Sequence, residues 1–232
     1  MKKQITLKSK KHQKASKLLE EGKMYSLDQA LDLSKETSYS NFDATLEAHF
    51  NLDLDLKSGD QNIRTTVTLP HGTGKTVKVA VFSTEKVKGA DLSLGEEGIT
   101  MIEQGKIKPK TDFDIVASEP SFMPKLAKVA KILGPAGMMP NPKTQTVSND
   151  LEKTVSDLKK GRIELKLEAN APIIHTKIGK MSFSKDALKE NFLEVLKALK
   201  ANKPQKASPS WIKSCFLSAT MGPSIKVDFE SL

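Results

Sequence analysis

The sequence has little of what enzymes and metalloproteins commonly use. Its single cysteine, Cys215, excludes an intramolecular disulfide and a thiolate metal cage, and it fits a reducing compartment. The four histidines, at positions 12, 49, 71 and 175, lack the spacing of metal ligands, so we predict no metal site. No run of 18 apolar residues occurs, so we predict a cytoplasmic protein without a membrane partner.

A glycine is also missing from residues 69–76, LPHGTGKT, which end in the letters of a nucleotide-binding loop. Such a loop needs a glycine five residues before Gly74, because the chain must turn its backbone N–H groups towards the phosphates, but Leu69 stands there. A strand-like run, VKVAVF (77–82), follows where the loop would require a helix. Gly95-Glu-Glu-Gly98 is likewise not a dinucleotide-binding motif. We therefore predict no cofactor, and a glycine-rich connection at 69–76.

Positive charge is abundant and unevenly distributed. The net charge is +9, of which residues 1–69 contribute +1, residues 70–158 contribute +1 and residues 159–232 contribute +7. The first 17 residues hold seven lysines and no acid, without the apolar segment of a secretory signal or the arginines of a mitochondrial transit peptide. This excess at the two ends suggests a polyanionic partner without naming it.

The periodicity of apolar residues differs between the ends and the middle of the chain. Strict alternation predicts strands at 45–56, 63–69, 162–168, 214–220 and 225–229, with helices from the capping box Ser26-x-x-Gln29 to about residue 35 and over 185–201. In the middle, short apolar strands at 77–82, 90–94 and 113–117 alternate with helices at 121–133, which Gly134 would end, and at 149–160.

These patterns predict an α/β protein of two domains. Antiparallel-type strands at both ends favour a discontinuous α+β two-layer domain built from residues 1–69 plus 159–232. The alternation of strands and helices between them favours an inserted, Rossmann-like three-layer α/β domain at 70–158.

The stretch 128–143, KVAKILGPAGMMPNPK, taken alone is a capped helix followed by a rigid turn. Further motifs occur with it in a fixed order: FDATLEAHFNLDLD and DQNIRTTVTLPHGTGK before it, and GRIEL, GKMSF and TMGPSIKVDF after it. Together they resemble the ribosomal L-one family, the protein of the mobile stalk beside the exit site of the large subunit. The resemblance extends over nearly the whole chain.

The resemblance implies a cytoplasmic, non-enzymatic component of the large ribosomal subunit that is a monomer when free. In that family the discontinuous domain binds large-subunit rRNA and also a mimic in the leader of its own operon mRNA, as a translational repressor. The inserted domain adds minor contacts and moves with the stalk as deacylated exit-site tRNA leaves. LPHGTGK then corresponds to the crossing into the inserted domain.

Seven positions match the RNA-binding residues of the family. They are Phe42, Thr45, Glu47, Lys180, Thr220, Met221 and Gly222. Strand alternation independently places Thr45 and Glu47 on the polar face, whereas residue type alone would place Phe42 and Met221 in a core. RNA is read partly through its 2′-hydroxyls, so Glu47 would accept from a 2′-OH or a base amino group, and Gly222 would allow close backbone approach.

The sequence also departs from the family at positions where relatives carry basic residues. Asn41, Lys57-Ser-Gly and Ala136 stand there, and each removes a phosphate contact. The lysine-rich leader either compensates by contacting RNA, which we favour, or is a disordered solubilising arm.

Three alternative functions compete with the ribosomal one. A nucleotide-dependent enzyme using GTGKT fails on the spacing described above. A general DNA-binding protein would show a helix-turn-helix or zinc-finger pattern, and the aromatic content of 5% also argues against it. A hidden catalytic site stays open, because catalytic residues meet in space and not in sequence.

Overall fold

The computed structural model describes residues 9–20, 22–56, 61, 63–205 and 207–229. Contacts between residues divide the chain into two compact units. Unit 1 comprises residues 1–63, 69–74 and 165–232, and unit 2 comprises residues 64–68 and 75–164. The mixed α/β class predicted from the sequence is confirmed. That these units are independent domains with the predicted boundaries stays a prediction.

Within the described ranges the helices are α1 (Lys10–Ser16), α2 (Leu27–Glu36), α3 (Glu96–Glu103), α4 (Met123–Leu126), α5 (Ala130–Ala136), α6 (Leu151–Lys159) and α7 (Lys185–Ala201). The strands are β1 (Thr45–Leu52), β2 (Arg64–Thr68), β3 (Val79–Phe82), β4 (Leu92–Leu94), β5 (Ile115–Ser118), β6 (Arg162–Lys166), β7 (Ile173–Lys180), β8 (Ile212–Ala219) and β9 (Ser224–Val227). Short 3₁₀ helices occur at Pro120–Phe122, Ala127–Val129 and Pro142–Thr144.

Unit 1 is built on an antiparallel sheet with the strand order β7-β1-β8-β9. Alternate side chains of β1 point to opposite faces, so Leu46, Ala48 and Phe50 are buried on one face of the sheet, where α2 packs on β8 and β9 and α7 packs on β7. The ring of Phe50 stacks on that of Phe192 in α7, with centroids 6.0 Å apart. The opposite face of the sheet carries the polar alternates of β1, which are half-buried or exposed.

The helix signals of unit 1 have their expected structural basis. Ser26 accepts a hydrogen bond from the backbone N–H of Gln29, and the Gln29 side chain accepts one from the N–H of Ser26, so the predicted capping box is present. Ser184 begins α7 in a similar way by accepting from the N–H of Ala187. The helices at 27–36 and 185–201 are therefore confirmed.

Unit 2 contains a parallel sheet with the strand order β4-β3-β5, and β2 pairs separately with β6. Every residue of β3 is buried, because helices cover both faces of the sheet. Ala80 and Phe82 pack on one face against residues of α3, α4 and α5. Val79 and Val81 pack on the other face against α6. A strand covered on both faces has a continuous apolar run, which explains the VKVAVF pattern.

The first strand is shorter than the alternation predicted. The prediction of a strand over 45–56 is wrong beyond Leu52, where the register with β8 shifts. The N–H of Leu52 donates to the carbonyl of Pro172 (2.8 Å), and Pro172 has no N–H with which to continue the ladder. Leu54 remains buried although it lies outside the strand, so its apolar character follows from burial and not from β structure.

The helix predicted over 121–133 is also different in the structure. It is divided into α4 and α5 by a 3₁₀ turn, and it continues past Gly134 to Ala136. The helix ends at Gly137, whose φ of 75° is left-handed and whose N–H donates to the carbonyl of Gly134 (2.9 Å). The N–H of Met138 reaches back to the carbonyl of Leu133 (3.0 Å), completing a Schellman-type end. The terminating glycine was therefore assigned three residues too early.

Other differences concern elements that the sequence analysis did not name. Strand β7 and the helices α1 and α3 were not predicted, and the turn predicted at 57–60 lies outside the described residues. The stretch 69–76 contains turns and no helix, with positive φ at Gly72 (67°) and Gly74 (72°), and it leads towards strand β3. This confirms the prediction of a connection into a strand.

Candidate nucleic-acid interface

Three separate segments of unit 1 meet at one corner of its sheet. Thr45 begins β1, and the turn after β8 brings Thr220 beside it. The N–H of Thr45 donates to Oγ1 of Thr220 (3.2 Å), while the N–H and the Oγ1 of Thr220 donate to the carbonyl of Thr45 (3.0 and 3.2 Å). These reciprocal hydrogen bonds fix residues that are 175 positions apart in the chain.

Lys180 joins the same corner from the end of β7. It lies opposite Thr45 in the β1–β7 register, and its Nζ donates to Oγ1 of Thr45 and to the carbonyl of Asp43, each at 3.1 Å. The ammonium group is thus held over the start of β1 by neutral oxygens. We call Thr45, Lys180, Thr220, Met221 and Gly222 the corner cluster.

Met221 occupies a strained position in the turn that follows β8. The N–H of Gly222 donates to the carbonyl of Ala219 (2.7 Å), which closes the turn, and Met221 has a φ of 71°. A positive φ at this turn position is normally left to glycine or asparagine. The Met221 side chain is nonetheless 66% exposed. A strained backbone carrying an exposed apolar side chain is typical of a contact residue and not of a core residue.

The turn itself favours a glycine at position 222. A Cβ at this position would stand 3.2 Å from the carbonyl oxygen of Ala219, which is a tight contact. The Ser218 hydroxyl also donates to the carbonyl of Gly222 (3.4 Å). Glycine therefore keeps this backbone close to β8 and leaves it uncovered by a side chain of its own.

Phe42 and Glu47 flank the corner cluster along the chain. Phe42 is 58% exposed and immediately precedes Asp43, the residue whose carbonyl accepts from Lys180. Glu47 is two residues further along β1 on the polar face, where its register partners are Ser218 on β8 and Lys177 on β7. Both side chains that composition would have placed in a core, Phe42 and Met221, are at the surface.

Three residues that support the corner cluster were missed from the sequence. The Asp43 carboxylate accepts hydrogen bonds from the N–H (3.1 Å) and the hydroxyl (2.9 Å) of Ser182, and this holds the segment before β1 against the end of β7. The Tyr39 hydroxyl donates to the carbonyl of Met221. Asp43 and Ser182 lie within the motifs FDATLEAHF and GKMSF, which were a usable signal, whereas Tyr39 had none.

The connection at 69–74 also reaches the corner cluster within unit 1. A Cβ on Gly74 would lie 2.6 Å from Cγ of Lys180 and 3.1 Å from the ring of Phe183. Gly74 has a positive φ as well, so an L side chain would be strained even without these contacts. The glycine that looked like part of a phosphate loop instead leaves room for the stem of Lys180.

Two histidines occupy the middle of the same polar sheet face. Nδ1 of His49 and Nδ1 of His175 are 2.6 Å apart, so one ring donates a proton to the other. Burial and the neighbouring His175 lower the pKa of His49, while Glu47 acts in the opposite direction. On the far side of the pair, Nε2 of His175 lies 3.5 Å from Glu168. The pair therefore favours a state with no more than one positive charge.

Metal binding and membrane insertion find no support in the described residues. Within these ranges no group of three or more His, Cys, Asp or Glu could hold a metal ion. Across the same ranges no helix is both long enough and apolar enough to cross a membrane. The lone thiol, Cys215, is buried, and burial raises its pKa.

Comparison with known proteins identifies the class of this protein. The chain belongs to the ribosomal protein L1p/L10e family, whose model matches residues 34–223. This confirms the resemblance seen in the motifs. The family consists of structural ribosomal proteins and not of enzymes, so the prediction that the chain is not an enzyme is confirmed.

Curated relatives match along almost their whole length. A protein of Mycoplasma mycoides subsp. mycoides is 46% identical over 226 residues, covering 95% of this chain and 98% of its own. Proteins of Mesoplasma florum and Lactobacillus delbrueckii subsp. bulgaricus are 44% and 43% identical, covering 96% and 94% of this chain and 98% and 95% of their own. All three are named large ribosomal subunit protein uL1.

Proposed function

We propose that this protein is a structural component of the large ribosomal subunit and that unit 1 binds large-subunit rRNA through the corner cluster, Phe42 and Glu47. Within this proposal the chain consists of two domains, a discontinuous α+β two-layer domain and an inserted Rossmann-like three-layer domain. The names of its relatives support the large-subunit role. Its location is then the ribosome in the cytoplasm.

The observation that carries the proposal is the convergence of the matched positions. Thr45, Lys180 and Thr220 come from three distant segments, yet hydrogen bonds of 3.0–3.2 Å join them at one corner of an open sheet face. The corner offers hydroxyl groups, an ammonium group, a thioether and an uncovered backbone. These are the short polar and apolar contacts by which RNA shape and 2′-hydroxyls are read.

Positive charge supports an RNA partner. Unit 1 carries +5 of the net charge of +9, because its residues 165–232 hold 11 lysines against six acids. Lysines neutralise phosphates and release counterions, so they supply affinity that depends on salt but not on sequence. The corner cluster would then supply the specific part.

The further roles proposed here follow from membership of the family. At the mobile stalk, the protein assists the release of deacylated tRNA from the exit site. The same surface of unit 1 binds the leader of its own operon mRNA and represses translation. Both roles rest on RNA recognition by unit 1, so they require the corner cluster.

Substitutions in the corner cluster test the proposal directly. Thr220→Ala and Met221→Ala should each weaken binding to cognate large-subunit rRNA by about 1–3 kcal/mol, because each removes a contact to the specific site. Binding to poly(U) should change little. The measurement is a filter-binding titration at fixed salt, with folding checked by circular dichroism.

Met101→Ala provides the matched control, since Met101 is an exposed methionine of α3 in unit 2. It should bind cognate rRNA as the parent does. If folded Thr220→Ala and Met221→Ala variants also bind like the parent, the corner cluster is not the recognition site and the proposal for unit 1 is wrong.

A further inference from the structure

A groove of about 560 Å³ adjoins the corner cluster in unit 1. Its floor is formed by the polar face of β8 and β9, and its outer wall by α1 and by described residues within 19–20 and 22–25. Gly222, a member of the corner cluster, lines the groove together with Pro223. The volume lies in the range of roughly 300–1,000 Å³ that encloses small organic ligands, so a single nucleotide would fit.

The outer wall of the groove is fixed to the sheet by hydrogen bonds. The N–H of Tyr25 donates to the carbonyl of Lys226 (3.0 Å), and the N–H of Asp228 donates to the carbonyl of Tyr25 (2.9 Å). The Tyr25 hydroxyl accepts from the N–H of Glu20 (3.0 Å), which ties the preceding part of the wall to the same residue. The groove is therefore a built feature of the fold and not a gap beside a loose segment.

The floor of the groove continues the row of side chains that contains Glu47. In the sheet register Glu47 pairs with Ser218, and Ser218 pairs with Ser224 of β9. One step along, Phe216 pairs with Lys226. Phe216 is the aromatic residue of this floor and is only half-buried, on the face of the sheet that is otherwise polar.

The chemistry of the groove matches an unpaired nucleotide. The ring of Phe216 offers an apolar surface for a base, while Ser218 and Ser224 offer hydroxyl groups for its polar edge. Lys226 stands beside the ring and can reach a phosphate. Glu20 on the wall repels phosphate but can accept from a base amino group or a 2′-OH, as Glu47 can.

We propose that this groove binds an unpaired nucleotide of the same RNA that the corner cluster holds, with its base stacked on Phe216 and its phosphate beside Lys226. The inference rests on the proposed function of unit 1 and extends it to Phe216 and Lys226, which are not among the seven matched positions. The expected occupant of the groove is RNA, because Gly222 belongs both to the groove and to the corner cluster.

Substitutions of Phe216 separate stacking from packing. Phe216→Leu keeps an apolar floor but removes the ring, so affinity for cognate large-subunit rRNA should fall by roughly 5- to 150-fold, the typical range for losing one base–aromatic stack. Phe216→Tyr and Phe216→Trp should bind like the parent. A purely structural role would not be rescued by both larger aromatic residues. If Phe216→Leu is folded and binds like the parent, the proposal is wrong.

Fluorescence provides a readout that does not depend on the Leu variant folding. The single tryptophan, Trp211, is buried, so acrylamide quenching of Phe216→Trp reports mainly the added indole. Cognate rRNA should reduce that quenching several-fold. Leu193→Trp, at an exposed position of α7, is the control and should be quenched equally with and without rRNA. Equal quenching of Phe216→Trp in both conditions would overturn the proposal.

The salt dependence of binding tests the phosphate contact. Lys226→Ala should reduce the slope of log affinity against log salt by about 0.7–0.9, the value for one phosphate contact. Lys197→Ala, at an exposed position of α7 in the same unit, should leave the slope unchanged. Unchanged slopes for both variants contradict the Lys226 contact. If Thr220→Ala still weakens binding in those experiments, only the groove is wrong and the function proposed for unit 1 stands.

Discussion

The two units use their sheets in opposite ways. In unit 1, β1 buries every second side chain on the face of the sheet where α2 and α7 pack and presents the others on an open polar face. In unit 2, β3 is buried on both faces by helices, so none of its side chains is available to a partner. An antiparallel sheet with one open face can devote half of its residues to recognition without weakening its core. All seven positions matched to the family's RNA-binding residues lie in unit 1.

The comparison is tested most strongly by truncating large buried side chains. Phe50→Ala should cost about 3–5 kcal/mol of unfolding free energy, because it removes the ring stacked on Phe192 and leaves a cavity. Its neighbour on the open face, Asn51→Ala, should cost less than about 0.5 kcal/mol. In β3, by contrast, Phe82→Ala should cost about 3–5 and Val81→Ala about 2 kcal/mol, since both faces are buried.

Chemical denaturation followed by circular dichroism measures these costs, and Trp211 fluorescence reports unit 1 specifically because the only tryptophan lies there. If Asn51→Ala destabilised unit 1 as much as Phe50→Ala, the polar face of β1 would not be open to solvent.

A smaller effect is expected at Asn191, which holds the glycine-rich connection. Its amide is fully buried, donates to the carbonyls of Gly72 (3.0 Å) and Ile178 (2.8 Å), and accepts from the N–H of His71 (3.1 Å). Asn191→Ala should destabilise unit 1 by about 2–3 kcal/mol, because it leaves buried polar groups without partners. Asn202→Ala at the exposed end of α7 is the control and should cost less than about 1 kcal/mol.

Trp211 fluorescence during urea unfolding again supplies the measurement. Equal costs for the two asparagine variants would show that the connection is not held by Asn191.

The contribution of unit 2 to RNA binding should be smaller still. Replacing residues 75–161 with a short Gly/Ser linker keeps β2, β6 and the connection at 69–74, and should leave unit 1 folded. Affinity for cognate rRNA should fall by less than about 1.5 kcal/mol, since residues 75–161 carry only +3 of the net charge of +9 and none of the seven matched positions. Filter binding at fixed salt is the test. A loss above roughly 4 kcal/mol would assign recognition to unit 2.

The smallest effect concerns the histidine pair on the open face. The folded-state pKa of His49 is lowered, so the folded state binds fewer protons than the unfolded state as the pH falls through the ordinary value of 6.5. Stability is therefore fully present above that pH and decreases below it. His49→Gln should flatten the stability profile between about pH 7 and 5. Parallel profiles for the parent and this variant, measured by denaturation at each pH, would contradict the assignment.

The sequence was sufficient to predict an element where that element depends on residues close to it in the chain. The capping box at Ser26 and the apolar spacing of α7 depend only on neighbours within a few residues, and both were predicted correctly. The end of β1 depends on Pro172, which is distant in the chain, so alternation alone extended the strand too far. Gly134 and Gly137 are equivalent as residue types, and only the backbone conformation shows which of them ends the helix.

The residues of the candidate site were predicted from another source than local periodicity. Its positions came from motif resemblance, and the alternation of β1 supplied an independent reason only for Thr45 and Glu47. Their convergence with Lys180 and Thr220 depends on strand order, which no local pattern contains. Phe216 was not recognised as a surface residue, because in an alternating strand an aromatic side chain ordinarily marks the buried face.

The strand order of unit 1 has a consequence for how the chain is made. Strand β1 is central in its sheet, but both of its partners, β7 and β8, lie far along the chain. Ala48 pairs with Thr176 and Leu217, so it cannot pair on either side until those residues have been synthesised. The parallel sheet of unit 2 lies within residues 79–118 and can form while β1 is still without neighbours. Distant pairing of this kind slows folding, because a long loop must close before any contact forms. During translation, therefore, the corner cluster cannot assemble on a nascent chain that ends before Gly222.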